Sequence, residues 1–76
     1  MTREDLVREI ARIAAVSHED VHGRLPLSSV DVMRVVNMLR VRGLPVTYHD
    51  LAAEPELDAW WSRISHLLRA NPHLAA

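Results

Sequence analysis

Hydrophobic residues recur at intervals of three and four in the first part of the chain, and this spacing places side chains on one face of a helix. Thr2 precedes the stretch, and Asp5 follows three residues later, which resembles the spacing of a capping box. Charged residues fall mostly off the apolar face. The pattern predicts an amphipathic helix from about Thr2 to Val16, with an apolar face formed by Leu6, Val7, Ile10, Ile13 and Ala14.

A second stretch begins at Ser29 and has apolar residues on two faces. Its many β-branched residues make a strand from Val30 to Val36 the local competitor of a helix. Strict alternation is absent, and the spacing of three and four continues to Leu39, so a helix is favoured. We expect this helix to stop at Gly43. One face carries Val32, Val35, Val36 and Leu39, and another carries Val30, Met33, Arg34 and Asn37.

The last part of the chain contains a short and a long helical pattern. Thr47 and Asp50 repeat the cap spacing and open a short helix from Tyr48 to Ala53, which Pro55 ends. A long helix is predicted from about Glu56 to Arg69, with an apolar face of Leu57, Trp60, Trp61, Ile64, Leu67 and Leu68.

Adjacent residues on a helix point about 100° apart. We therefore expect one of Trp60 and Trp61 to be buried and the other to be partly exposed. Together the four elements predict an all-α bundle of three long helices and one short third helix, in a single domain over residues 1–76.

Composition narrows the function classes. The 76 residues are 49% hydrophobic, which is too apolar for a disordered chain. The net charge of −1 argues against a nucleic-acid binder, although Arg34, Arg40 and Arg42 on the second helix leave a small DNA-binding or regulatory domain as an alternative. The lack of cysteine excludes disulfides and thiolate metal sites. We see no membrane-spanning run and no signal peptide, and we expect a cytoplasmic protein.

The irregular segment from Ser17 to Leu27 contains the string His18-Glu19-Asp20-Val21-His22. This is an H-E-x-x-H string, which binds zinc in metalloproteases when it lies on a helix. Gly23 follows at once and Pro26 interrupts the segment, so the helical context is missing. We therefore expect a solvated loop that holds no metal and is fixed to the helices by Val21, Leu25 and Leu27.

Leu25-Pro26-Leu27-Ser28-Ser29-Val30 resembles the Leu-Gly-x-Asp-Ser-Leu/Val signature of acyl, peptidyl and aryl carrier proteins. The order of the later residues also resembles this family, in 30–39, Gly43-Leu44-Pro45-Val46-Thr47, Asp50-Leu51, Pro55 and Leu57-Asp58-Ala59-Trp60-Trp61. The Trp60-Trp61 pair is most similar to the aryl carrier domains of nonribosomal peptide assembly. Ser28 stands where the family has Asp, Pro26 stands where it has Gly, and the preceding loop is shorter.

The resemblance implies a four-helix carrier-protein-like bundle with a covalent 4′-phosphopantetheine arm on Ser29. It implies a monomeric, non-catalytic carrier that holds an aryl or aminoacyl group as a thioester. The implied partners are a phosphopantetheinyl transferase, an acid-adenylating enzyme and a condensation or acyltransferase enzyme, with no nucleic acid and no membrane. The chain lacks a G-x-S-x-G elbow that would activate Ser29 as a nucleophile. The alternative is a pseudo-carrier, an interaction domain that has kept the fold and lost the arm.

The resemblance also implies that partner enzymes dock on the start of the second helix and on the short third helix. The candidate residues are Val30, Met33, Arg34, Asn37, Tyr48 and Ala52. Met33 lies about one turn after Ser29, and Ala52 lies one turn after Tyr48. The alternative is that Met33 and Tyr48 are partly buried members of the core.

Overall fold

The computed structural model describes residues 1–74, which form four α-helices and two short 3₁₀ turns. The predicted all-α bundle is confirmed, including the three long helices and the short third one. Neither 3₁₀ turn was predicted. The helices are α1 Arg3–Ala14, α2 Ser29–Val41, α3 Tyr48–Ala52 and α4 Leu57–Ala70, and the turns are His18–Asp20 and Pro72–Leu74.

Capping boxes determine where the first three helices begin. In each one the N-cap hydroxyl accepts a hydrogen bond from the backbone N–H of the third helical residue, whose carboxylate accepts from the N-cap backbone. Helix α4 has no such side-chain bond at its N-cap. The pairs are Thr2 with Asp5, Ser28 with Asp31, and Thr47 with Asp50.

The inner faces of the helices form one apolar core. Trp60 is its largest buried residue, and its indole Nε1 donates a hydrogen bond of 2.9 Å to the carbonyl of Leu51 on α3. Trp61 is only half-buried, so the prediction that one tryptophan of the pair is buried is confirmed. The core residues are Leu6, Ile10, Ala11, Val21, Leu25, Val32, Val35, Val36, Leu39, Leu44, Val46, Leu51, Leu57, Trp60, Ile64 and Leu68.

Two loops that are distant in the sequence pair through their backbones. The N–H of Leu25 donates to the carbonyl of Pro55 at 2.8 Å, and the N–H of Leu57 donates to the carbonyl of Gly23 at 2.9 Å. Arg24 and Glu56 form the antiparallel bridge between these bonds. The pairing fixes the segment that leads into α2 against the start of α4.

The chain folds back on itself after α2. Gly43 has φ +91°, a conformation that a residue with a Cβ rarely adopts. The N–H of Leu44 then donates to the carbonyl of Leu39, and the Arg40 guanidinium donates to the carbonyl of Val46 at 3.1 Å. These bonds direct the chain back along α2, and α3 packs against that helix.

Candidate functional site

The two serines at the start of α2 have different roles. The Ser28 hydroxyl accepts from the N–H of Asp31 at 3.2 Å, and the Ser28 N–H donates to the Asp31 carboxylate at 3.3 Å. Ser28 is therefore the N-cap, and Ser29 is the first residue of the helix. Ser29 is exposed, and its hydroxyl makes no hydrogen bond within residues 1–74. The resemblance places the arm on Ser29, which is thus the serine whose side chain does not cap the helix.

The backbone around Ser29 presents donors to solvent. The N–H groups of Ser29 and Val30 are at the first two helical positions, where no carbonyl within the helix can accept from them. Aligned peptide dipoles add a positive partial charge to this helix end. Both features favour a phosphate ester on the Ser29 hydroxyl.

The outer face of α2 is apolar at several positions. Val30, Met33 and Val41 are 56%, 59% and 80% exposed. Arg34 and Asn37 are also exposed and lie among them on the same side of the helix. We call the residues Val30, Met33, Arg34, Asn37 and Val41 the outer face of α2. The interpretation of Met33 as a core residue is wrong, because its side chain is exposed. The inner positions of α2 supply the core contacts instead.

Helix α3 contributes less exposed surface than α2. Tyr48 is its first residue and is 42% exposed, so it is not a core residue either. Ala52 is half-buried and packs against the core. The candidate residues on α2 are thus exposed, and so is Tyr48 on α3, whereas Ala52 is only partly accessible.

Two contacts hold α3 in place against α4. The Asp50 carboxylate accepts from the Thr47 N–H at 3.0 Å and forms an ion pair of 3.1 Å with Arg63. The hydrogen bond from the Thr47 backbone, with help from Arg63, lowers the pKa of the Asp50 carboxyl. The Trp60 indole bond to Leu51 is the second contact. Tyr48 is therefore the first residue of a helix whose position is fixed by contacts with both α2 and α4.

The outer face of α2 lies in the basic part of the chain. The stretch from Val21 to His49 contains four arginines and one acidic residue, whereas the rest contains five arginines and nine acidic residues. All four ion pairs within residues 1–74 use arginines from outside that stretch. The arginines of the stretch are Arg24, Arg34, Arg40 and Arg42.

The H-E-x-x-H string forms no metal centre in the described part of the chain. His18 begins the first 3₁₀ turn, and His22 lies beyond its end, so the two residues do not share an α-helical face. Both are exposed, as expected for a solvated loop. Within residues 1–74 no group of three or more histidine and acidic residues is arranged to hold a metal ion.

A surface depression of about 680 Å³ lies elsewhere, along α4. It is open to solvent, and its lining includes Ala59, Arg63 and His66 but not Ser29. Arg63 is already engaged by Asp50. The depression therefore contributes nothing to the chemistry at the start of α2.

Sequence reasoning missed Val41, the most exposed large apolar residue of the described chain. Val30, Arg34, Asn37 and Val41 are spaced by four, three and four residues, which is the spacing of one helical stripe. Extending the outer face by one more turn would therefore have found it.

The chain was compared with protein families, curated proteins and solved structures, and none of them matches it. No helix within residues 1–74 is both long enough and apolar enough to cross a membrane.

Proposed function

We propose that this protein is a carrier that bears a 4′-phosphopantetheine arm on Ser29. The arm holds an aryl or aminoacyl group as a thioester and presents it to biosynthetic enzymes. The protein itself is non-catalytic, monomeric and cytoplasmic in this proposal. A phosphopantetheinyl transferase attaches the arm, an acid-adenylating enzyme loads it, and a condensation or acyltransferase enzyme unloads it.

The observation that carries the proposal is the division of roles between Ser28 and Ser29. A serine at a helix start is usually explained by capping, but the capping hydroxyl here belongs to Ser28. Ser29 is left exposed at the first helical position. The resemblance assigns the arm to that same residue.

Attachment of the arm requires few chemical groups from the protein itself. In the transfer, the Ser29 Oγ bonds to the pantetheine-side phosphorus of coenzyme A, the diphosphate bond of coenzyme A breaks, the nucleotide phosphate leaves, and the hydroxyl proton passes through the transferase to solvent. The first N–H groups of α2 lie beside the resulting phosphate, and the helix dipole favours its charge. The chain contains no cysteine, so the thiol of the thioester belongs to the arm.

The test is the intact mass of the protein after incubation with coenzyme A and a promiscuous phosphopantetheinyl transferase. The wild type should gain the mass of one phosphopantetheine. Ser29→Ala should gain nothing and keep its circular dichroism spectrum, because the Ser29 side chain makes no hydrogen bond in the described fold. Ser28→Ala should still gain the arm, because Ser28 supplies only a cap. A gain in Ser29→Ala would refute the assignment of the site.

The second candidate is the pseudo-carrier, and Ser28 is the observation that favours it. Ser28 occupies the position where the family has an aspartate that helps the transferase to engage its substrate. Aspartate caps a helix about as well as serine, so Ser28→Asp adds the acid and preserves the box with Asp31. No gain in the wild type with a gain in Ser28→Asp would identify the missing acid as the reason. No gain in either protein would overturn the carrier proposal.

A further inference from the structure

The last described residues turn back onto the bundle after α4. The N–H and the side-chain amide of Asn71 both donate to the carbonyl of Leu67, at 3.0 Å and 2.9 Å. Pro72 has no N–H with which to continue the helix, and the N–H of Leu74 donates to the carbonyl of Asn71 at 2.9 Å. These bonds shape the 3₁₀ turn Pro72–Leu74, which we call the strap.

The strap contacts the turn that follows α2. A Cβ at Gly43 would lie 3.1 Å from Cδ2 of Leu74, which is closer than ordinary van der Waals contact. Gly43 also has φ +91°. A glycine is therefore needed at this position for two independent reasons, its backbone conformation and the space that Leu74 occupies.

The contact between the strap and the turn after α2 is weak. In the part of the chain that the structure describes, the strap has no hydrogen bond to that turn. Leu74 is only half-buried, and side chains that line a cavity lose part of their dispersion contacts. A segment held in this way opens at a low free energy. A partly open cavity of about 230 Å³ is lined by Met1, Arg42, Leu44, Leu68 and Leu74.

The turn at Gly43 is also the start of the segment that leads to α3. The N–H of Leu44 donates to the carbonyl of Leu39 at 3.0 Å, and the N–H of Val46 donates to the carbonyl of Leu44 at 2.9 Å. Thr47 then caps α3. A shift of Gly43 therefore displaces the residues that position the start of α3.

We propose that the strap is a conformational device that opens locally while the bundle stays folded, and that its closure holds residues 44–46 in place before α3. In the open state Leu74 leaves Gly43, and residues 44–46 lose one of their supports. The alternatives are a strap that is a rigid part of the core and a strap that frays alone, as chain ends often do. Helix α2 has 13 residues and separates the strap from Ser29 by about 20 Å, so this device does not rest on the proposed function.

The first test is native-state hydrogen exchange of the unmodified protein, measured for each amide by NMR at low concentrations of denaturant. The amides of Gly43, Leu44 and Leu74 should exchange through one shared opening that denaturant accelerates little, because local opening exposes little surface. The amides of Ile10 and Ile64, whose side chains are fully buried, should exchange more slowly and respond strongly to denaturant, because they require global unfolding.

Substitutions in the strap test whether Leu74 holds the segment before α3. Leu74→Ala should accelerate exchange at Leu44 by roughly threefold or more, because it removes the contact with Gly43. Leu74→Met keeps the volume of the side chain and should restore the wild-type exchange rate. His73→Ala is the matched control, because His73 is exposed in the same turn, and it should change nothing.

A double-mutant cycle tests the contact itself. Gly43→Ala should lower the equilibrium constant for folding in the wild type, and it should lower it less in the Leu74→Ala protein, by roughly threefold or more. The backbone cost is the same in both proteins, but the steric conflict with Leu74 is present in only one. Urea titrations will measure the constants, and dispersed amide spectra will show that each variant is folded.

The outcomes separate the strap from its alternatives. Exchange of Leu44 and Leu74 together with Ile10, with the same strong response to denaturant, would overturn the proposal in favour of a rigid core. Early exchange at Leu74 while Leu44 follows Ile10 would overturn it in favour of simple fraying. Unchanged exchange at Leu44 in Leu74→Ala, or additive effects in the cycle, would remove the contact on which the strap depends.

Discussion

Helices α1 and α2 begin in the same way but have very different outer faces. Both start with a capping box and turn apolar residues toward the core. The charges on the outer side of α1 pair within the helix, with Arg8 3.2 Å from Asp5 and Arg12 2.8 Å from Glu9. The outer face of α2 instead exposes apolar side chains around an arginine.

This difference separates the features of α2 that stabilise the fold from those that do not. The inner residues and the cap of α2 do the same work as those of α1. The outer face of α1 satisfies its charges locally and needs no partner. The outer face of α2 adds nothing visible to the bundle, so its residues should be replaceable without loss of stability.

The largest effect should come from the shared core. Trp60→Ala should lower the free energy of unfolding by about 3–5 kcal/mol, because it removes the largest buried side chain and its hydrogen bond to Leu51. Trp61→Ala should cost much less, because Trp61 is half-buried. Chemical denaturation of both variants will measure this. Equal small losses would mean that neither tryptophan anchors the core.

The next effect compares the two faces of α2 directly. Leu39→Ala should lower the free energy of unfolding by about 2–5 kcal/mol, because Leu39 is fully buried. Met33→Ala should change it by no more than about 0.5 kcal/mol, because Met33 is 59% exposed. Urea titrations followed by circular dichroism will show the contrast. A large loss in Met33→Ala would return this residue to the core and remove it from the outer face of α2.

The caps should be equivalent in the two helices. Thr2→Ala and Ser28→Ala each remove the hydroxyl that accepts from the third helical N–H. Each should therefore cost about 1 kcal/mol in the free energy of unfolding. A negligible loss in Ser28→Ala, measured in the same denaturation experiment, would contradict the capping role that frees Ser29.

The smallest effect should be a dependence on pH that involves α1 and not the outer face of α2. Hydrogen bonds from Thr2, with help from Arg8, lower the pKa of the Asp5 carboxyl in the folded protein. Its contribution to stability is therefore complete above the usual aspartate range and is lost as the pH falls through the lower, folded pKa. Denaturation midpoints measured from about pH 6 to about pH 3 should fall.

Two variants test whether the loss of stability at low pH comes from α1 or from the outer face of α2. Asp5→Asn should reduce the fall on the acid side of the profile, because one of the carboxyls with a lowered pKa is gone, whereas Asp50 still takes up its proton there. Arg34→Gln should leave the profile as it is in the wild type, because Arg34 pairs with no carboxylate within residues 1–74. A change of profile in Arg34→Gln would show that the outer face of α2 has an acidic partner inside the fold.

Helix number, order and caps could be predicted because each is encoded locally. Apolar spacing located the inner faces, and a hydroxyl three residues before an aspartate indicated the starts of α1 and α3. The box of Ser28 with Asp31 has the same spacing, but it was not predicted. The 3₁₀ turn at His18–Asp20 has no buried residue and hence no apolar period to reveal it. The pairing of Arg24 with Glu56 uses backbone atoms alone, so side-chain patterns contain no sign of it.

The candidate site was predicted only in part for a related reason. Periodicity separated the outer from the inner residues of α2, but it could not decide whether another element would cover Met33. That depended on where α3 lies, and the position of α3 is set by Arg40, Asp50 and Trp60 through contacts between distant residues. The division of roles between Ser28 and Ser29 likewise needed the hydrogen bonds of Ser28.

The backbone pairing of Leu25 with Pro55 determines where the chain can change in length. Residues inserted between Val16 and Val21 would leave the pairing in place, and Ser29 would keep its position relative to α4. Only Pro26 and Leu27 separate Leu25 from Ser28, so one more residue there would shift and rotate the start of α2. Variants of this chain can therefore change the length of the loop between Val16 and Val21 but must preserve the spacing from Leu25 to Ser29.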